Sequence, residues 1–175
     1  TFTASAASTV SGANTNLNMK VTAGAKNEYL RNFDLHLPVG LVADTNATNT
    51  TCTQAQAAAA TCTAASQVGT VVTKLGTGAE TLDIPGAIHN VVPNSDEPAR
   101  LAAIVPVVVG PIVVDTLKIQ ASIRLRPDFG IDVVSDVPAT VRGLQLDMQR
   151  LQLSFTKANF LVNPPVCSGN TIGAD

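Results

Sequence analysis

The chain has 175 residues, a hydrophobic fraction of 45%, a charged fraction of 14% and a formal net charge of −2 at neutral pH. This length allows one sizeable core or two small ones, and the weak net charge excludes the basic surface that nucleic-acid binding requires. The longest apolar run is broken by Pro106, Gly110, Pro111 and Asp115, so we expect no membrane insertion. Thr1 in place of a methionine, with no signal peptide after it, predicts a processed start.

The first ten residues, TFTASAASTV, are small and compatible with an extended strand. Apart from Phe2, their pattern gives no reason to expect that they are buried against the rest of the chain. Such a segment can add a strand to the sheet edge of a neighbouring molecule. We therefore predict a candidate assembly strand in residues 1–10, with Phe2, Ala4, Ala6 and Val10 as its contact residues.

Two alternating segments, residues 17–22 and 29–37, follow as strands because apolar and polar residues exchange at every position. Residues 54–60, QAQAAAA, form the only credible helix. Thr51 or Thr53 is placed to cap its N-terminus. Residues 79–84 and 87–92 are predicted as two short strands on either side of a break at Pro85-Gly86.

Three cysteines bear on the compartment of the protein. Cys52 and Cys62 flank the predicted helix, and a disulfide between them would close a short loop and contribute roughly 3 kcal/mol. Two free thiols and a metal site are the alternatives, although no second Cys or His pair stands at zinc-ligand spacing. Cys167 is then unpaired, which in a secreted chain predicts an intermolecular disulfide or pairing with a neighbouring domain.

Residues 101–126 predict the centre of the fold. An almost continuous apolar run precedes a strict alternation from Leu117 to Leu125, which indicates a long hairpin or two strands joined at a corner. Residues 144–155 change parity, and either a β-bulge near Gln149 and Arg150 or a strand that passes from one sheet to the other would restore burial of both halves.

About ten short strands and one short helix predict an all-β fold, a β-sandwich with one short disulfide-bracketed helix. We expect a single domain over residues 1–167 and a C-terminal tail or linker over residues 168–175. Few charges and abundant Thr, Asn, Ser and Ala are typical of a protein that is extracellular or attached to a cell surface.

Several motifs in order resemble a repeated β-sandwich domain of large secreted actinobacterial and Gram-positive surface proteins. They are LRNFDLHLPVGLVADTNA, the Cys-bracketed TQAQAAAAT followed by SQVGT, AIHNVVPNSDEPARLA, RPDFGIDV and LVNPPVC. The resemblance implies an extracellular module of unassigned role, often in tandem, whose terminal cysteine pairs with the following segment. It supplies no catalytic residues.

No group of residues in the sequence indicates a particular reaction. We therefore predict no catalytic, cofactor-binding or metal-binding residues and no cofactor. His36 and His89 are expected on the surface. A Ser66–His89–Asp34 triad can be drawn, but no nucleophile elbow accompanies it. Residues 94–97 offer oxygens to calcium without a defined ligand spacing, as does Asp44 with its Asn neighbours.

The function that these features favour is that of a non-enzymatic extracellular structural protein, a building block of a surface layer, fibre or filament. Its partners would be copies of itself or neighbouring domains of the same protein. The alternative is an adhesin-type binding module that recognises its ligand through residues 44–51 and 93–98.

Overall fold

The computed structural model describes residues 1–24, 30–76, 81–109, 111–138, 140–145, 147–166 and 171–174. The described helical elements are α1 (Gln54–Ala59) and two 3-10 turns, Thr45–Ala47 and Ala64–Ser66. The strands in chain order are β1 (Phe2–Ala6), β2 (Asn14–Thr15), β3 (Leu17–Thr22), β4 (Asn32–Leu37), β5 (Val42–Ala43), β6 (Gln67–Gly76), β7 (Thr81–Val91), β8 (Ala99–Val109), β9 (Ile112–Leu125), β10 (Ile131–Asp136), β11 (Thr140–Val141), β12 (Leu144–Gln145), β13 (Asp147–Phe155), β14 (Leu161–Val162) and β15 (Gly173–Ala174).

Ten strands form one antiparallel sheet in the order β1-β3-β13-β6-β7-β8-β9-β10-β4-β15. The sheet curves until it is nearly closed, so its inner surfaces face each other across an aliphatic core like the two sheets of a sandwich. Two small sheets, β2-β14-β5 and β11-β12, complete the structure. The predicted all-β sandwich with one disulfide-bracketed helix is confirmed.

The hairpin of β8 and β9 is the longest pairing of the sheet, as the sequence predicted for residues 101–126. Leu117 and Ile119 of β9 are 0% and 3% exposed, and they anchor the core. Leu125, predicted on the same buried face, is 61% exposed because it is the last residue of the strand.

The predicted bulge lies in β13. Met148 pairs with Leu75 of β6 and Arg150 pairs with Lys74, so Gln149 is the extra residue. The insertion changes the side-chain parity, and Met148 and Leu151 are both buried. The bulge prediction is confirmed.

The prediction of two short strands around Pro85-Gly86 is wrong, because β7 runs through both residues. Pairing of β7 with β8 covers only Ala87 to Val91, so Pro85 needs no N–H donor on that side. At Gly86 the carbonyl oxygen of Ile104 would lie 2.4 Å from an added Cβ, and glycine permits this close approach.

Helix α1 begins with a capping box. Thr53 Oγ1 accepts a hydrogen bond from the Gln56 amide at 3.1 Å, and Gln56 Oε1 accepts one from the Thr53 amide at 2.9 Å. The helix ends at Ala59, and the C-cap residue Ala60 adopts a left-handed conformation with φ of 59°. Of the two predicted N-cap residues, Thr53 is the one used.

Residues 173–174 differ from the predicted tail or linker, since they form β15 and pair with His36 and Leu35 of β4. The sequence pattern does not reveal this strand because it has only two small residues, and both its pairing with β4 and the packing of Ala174 against the core depend on tertiary structure. The predicted intermolecular cysteine, Cys167, lies outside the described residues.

Candidate functional site

The predicted assembly strand lies at one end of the large sheet. Phe2 pairs with Val21 and Ala6 with Leu17, so all of β1 is hydrogen-bonded to β3 of the same chain. Within the described part of the chain, β3 is the only strand paired with β1. Phe2 is half-buried against the core, whereas Ala4 and Ala6 are exposed. Val10 lies beyond the strand and is 65% exposed.

A groove of about 630 Å³ runs along β1. One wall is β1 itself, and the other includes Thr171 and Ile172, which lead into β15. Leu17 and Leu41 line the groove between these walls. The two ends of the sheet therefore border the same groove, which is the opening in the nearly closed sheet.

The disulfide and α1 cover part of the outer surface of β7 and β8. Cys52 and Cys62 form the predicted disulfide with a Cα–Cα distance of 5.3 Å. Cys52 and Ala57 pack with Val91 and Ala102 in a second, small apolar cluster. The Cys52 amide donates to the Asn90 carbonyl at 2.8 Å, which fixes the disulfide loop against the end of β7.

The two predicted binding loops, residues 44–51 and 93–98, lie on either side of this disulfide layer. Gln54 Nε2 donates to Asn94 Oδ1 at 2.6 Å in the second loop. In the first loop, the Asn90 side-chain amide donates to the Thr45 carbonyl at 2.8 Å and to Thr48 Oγ1 at 3.0 Å. The structure therefore brings both loops to one end of the molecule.

Glu97 holds the second loop to the sheet. Its carboxylate accepts hydrogen bonds from the Asn94 amide at 2.8 Å, from Arg100 Nε at 2.5 Å and Nη2 at 3.1 Å, and from Ser122 Oγ. Burial by itself raises the pKa of Glu97, but the bonds from Arg100, Asn94 and Ser122 outweigh it and lower the pKa below its usual value. These bonds explain the spacing of the Glu-Pro-Ala-Arg motif.

His36 lies in a cluster of charges on the outer surface. Its Nδ1 is 2.8 Å from Asp132 Oδ1, which also accepts a hydrogen bond from Arg126 Nη1 at 2.6 Å. Burial tends to raise the pKa of Asp132, but the bonds from Arg126 and His36 lower it overall. The position of His36 agrees with its predicted place on the outward face of its strand.

His89 is only 5% exposed, so its predicted surface position is wrong. It lies near the end of β7 and pairs with Ala102 of β8, which belongs to the small apolar cluster under the disulfide. Its Nδ1 is 3.1 Å from Ser66 Oγ, and the Ser66 hydroxyl donates to the Thr63 carbonyl at 2.9 Å. Desolvation by burial lowers the pKa of His89.

Two members of the conceivable triad, Ser66 and His89, are therefore in contact. Asp34 is on β4, four strand positions from β7 in the sheet order. Ser66 is 1% exposed, and its hydroxyl contacts both the Thr63 carbonyl and the His89 ring. The pair fastens the 3-10 turn before β6 to β7, and this geometry offers no nucleophile to solvent.

An apolar cavity of about 300 Å³ occupies the interior of the sheet. Its lining includes Leu35 and Leu151, each 1% exposed, and the small residues Ala103 and Ala121.

Within the described ranges, no group of three or more His, Cys, Asp and Glu side chains could hold a metal ion. The helices found there are too short or too polar to cross a membrane. The carboxylate of Glu97, one of the oxygens considered for calcium, is used by Arg100 and Ser122.

The fold and these sites define a class: an all-β protein with a sandwich-like, nearly closed antiparallel sheet and a local disulfide. Comparison with known proteins found no match among protein-family models, curated proteins or solved structures.

Sequence reasoning missed the groove, the cavity and the burial of His89. The cavity had a local signal, since Ala103 and Ala121 are small residues within otherwise bulky aliphatic strands. The groove had none, because it depends on which strands end the sheet.

Proposed function

We propose that the protein is a non-enzymatic extracellular structural module, a building block of a surface layer, fibre or filament that assembles by strand exchange. The observation that carries the proposal is the position of β1 at an open sheet edge. The β1 strand of one copy would leave its own β3 and pair with β3 of the next copy.

Releasing β1 costs less free energy than releasing an inner strand of this sheet would. Strand β1 has one strand neighbour, its outer side borders the groove, and four of its five side chains are exposed. A donated β1 would make the same pairs with residues 17–21 that it makes within its own chain. Exchange therefore replaces the β1–β3 pairs within one chain by the same pairs between two chains. A head-to-tail series of such exchanges produces an open polymer.

The Cys52–Cys62 disulfide supports the extracellular part of the proposal, because disulfides persist in oxidising compartments. The low charged fraction and the polar Thr- and Asn-rich loops agree with it. Cys167 would add a covalent link between neighbours. Non-reducing gels of the assembled material should show multimers that a Cys167→Ser variant lacks.

Cross-linking distinguishes exchange from pairing within one chain. Thr3 and Lys20 are directly paired and both exposed. In a Cys167→Ser background, a Thr3→Cys chain is mixed with a Lys20→Cys chain and then oxidised. Exchange predicts a covalent dimer of the two chains in non-reducing gels.

The matched control replaces Lys20→Cys by Asn18→Cys, which is also exposed but pairs with Ser5 instead. This mixture should cross-link at least tenfold less. Equal dimer yields from both mixtures, or none from either, would refute the exchange.

Deletion of residues 1–10 tests the assembly itself. The truncated protein should stay monomeric and folded, whereas the intact protein should form regular filaments in negative-stain electron micrographs. Filaments of the truncated protein would exclude β1 as the assembly element.

A binding module is the second candidate, favoured by the convergence of residues 44–51 and 93–98 at one end of the molecule. Ser95 and Asp96 at the tip of the second loop are exposed. A glycan array or pull-down that captures a ligand with the native protein, and loses it with Ser95→Ala/Asp96→Ala, would favour this function.

A further inference from the structure

The interior cavity carries an inference that is independent of assembly. Its lining is almost entirely aliphatic and aromatic hydrocarbon, from residues such as Met19, Phe33, Ile119 and Val133. The polar side chain deepest in the wall is Asn90, whose amide hydrogens are used by Thr45 and Thr48. A ligand inside would therefore be held by burial of hydrocarbon rather than by hydrogen bonds.

The cavity reaches the surface at one end. Val42, Pro98 and Leu125 line it and are exposed, while Leu35 and Leu151 line it at 1% exposure each. The opening thus lies between β5, the start of β8 and the end of β9. Two large apolar side chains at this rim, Val42 and Leu125, are 49% and 61% exposed.

No charged side chain is aimed into the cavity from the lining residues that the structure describes. Arg124 contributes to the lining at the rim, but its cross-strand neighbour is Asp132, which lies on the outer surface with His36. Residues paired across neighbouring strands point to the same side of a sheet, so the Arg124 side chain also points outward. A charged or zwitterionic head group would remain at the opening, in solvent.

We infer that this cavity binds one hydrocarbon chain of a fatty acid or lipid, with the head group outside. An apolar cavity of roughly 150 Å³ holds benzene, so twice that volume accommodates a chain of roughly ten to twelve carbon atoms. The finite volume of the cavity limits the chain length, and the apolar rim at Val42 and Leu125 covers the first carbons next to the head group.

Isothermal titration calorimetry with a series of saturated fatty acids from eight to sixteen carbons tests this inference. Each added methylene should tighten binding about fourfold until the cavity is full near twelve carbons, after which the affinity should level off. Titrations are kept below the micelle concentration of each acid. An affinity that keeps rising with chain length, or no binding of dodecanoate, would overturn the inference.

Variants that fill the cavity give the second test. Ala121→Leu and, separately, Ala103→Leu should weaken dodecanoate binding at least tenfold while preserving the circular dichroism spectrum. Ala55→Leu, on the exposed side of α1, is the matched control and should bind as the native protein does. Should either leucine variant fail to fold, the chain-length series on the native protein still decides the question.

A comparison of dodecanoate with a lysophosphatidylcholine that carries the same twelve-carbon chain distinguishes a free fatty acid from a lipid as the ligand. Because the head group lies in solvent, the two affinities should agree within about threefold. Binding of only one of them would overturn recognition through the chain alone. A negative result in all three tests leaves strand exchange unaffected, since that proposal uses β1 and β3.

Discussion

Replacement of Glu97 by glutamine tests the best-defined polar network in the structure. The Glu97 side chain is 4% exposed, and its carboxylate accepts four hydrogen bonds, two from Arg100 and one each from the Asn94 amide and Ser122. A glutamine has the same shape but presents an amide nitrogen where one oxygen stood. Arg100 donates to both oxygens of Glu97, so the amide nitrogen faces an Arg100 donor whichever oxygen it replaces. At least one bond to Arg100 is therefore lost together with the negative charge.

We expect Glu97→Gln to lower the free energy of unfolding by about 3 kcal/mol. This figure lies at the lower end of the range for breaking a buried ion pair because Arg100 keeps its bond to Gln120 at 2.8 Å and retains some solvent contact. The assay is urea denaturation at pH 7. Asp96→Asn, one residue away and exposed, is the control and should change stability by less than about 0.5 kcal/mol.

The same comparison has a defined pH dependence. The pKa of Glu97 is lowered in the folded state, so the charged form stabilises the fold above the ordinary pKa of about 4.5. That contribution is lost as the pH falls through the lower folded pKa. The difference between native protein and Glu97→Gln should therefore be largest at neutral pH and shrink below about pH 4. A loss under 1 kcal/mol at pH 7, or a difference that does not narrow in acid, would refute this account.

Two further changes test the disulfide layer and the packing of the sheet. Cys52→Ala/Cys62→Ala should lower the free energy of unfolding by about 3 kcal/mol in urea denaturation, since the bridge closes a short loop; an unchanged midpoint would contradict this. Gly86→Ala should cost about 2 kcal/mol or more in thermal denaturation, because its Cβ would meet the Ile104 carbonyl oxygen at 2.4 Å. Gly173→Ala, whose nearest contact is 3.8 Å, should be nearly neutral, and equal losses at both glycines would exclude the steric explanation.

Local features of the fold were predictable from the sequence. The strict alternation from Leu117 onward identified β9, and the change of parity after Met148 located the bulge at Gln149. Thr53 and Gln56 mark the start of α1 through the capping box. Each of these signals acts over a few residues, because side-chain periodicity and capping are short-range properties of the backbone.

Features that depend on contacts between residues distant in sequence could not be predicted from the sequence, or were predicted wrongly. His89 was expected on the surface because histidine is polar and stands beside Asn90, yet it is 5% exposed and its ring contacts Ser66. The continuous path of β7 through Pro85 depends on how far β8 extends beside it. Such outcomes depend on which element packs against which, and no local pattern encodes that choice.

The sequence by itself determined the all-β class, the aliphatic core, the helix between two cysteines and the long central hairpin. Only the tertiary structure decided that β1 and β15 end the same sheet, that a groove lies between them and that a cavity remains inside. The physical reason is that backbone hydrogen bonds pair strands without regard to side-chain identity. Strand order, and the spaces it leaves, therefore follow from the packing of the whole chain.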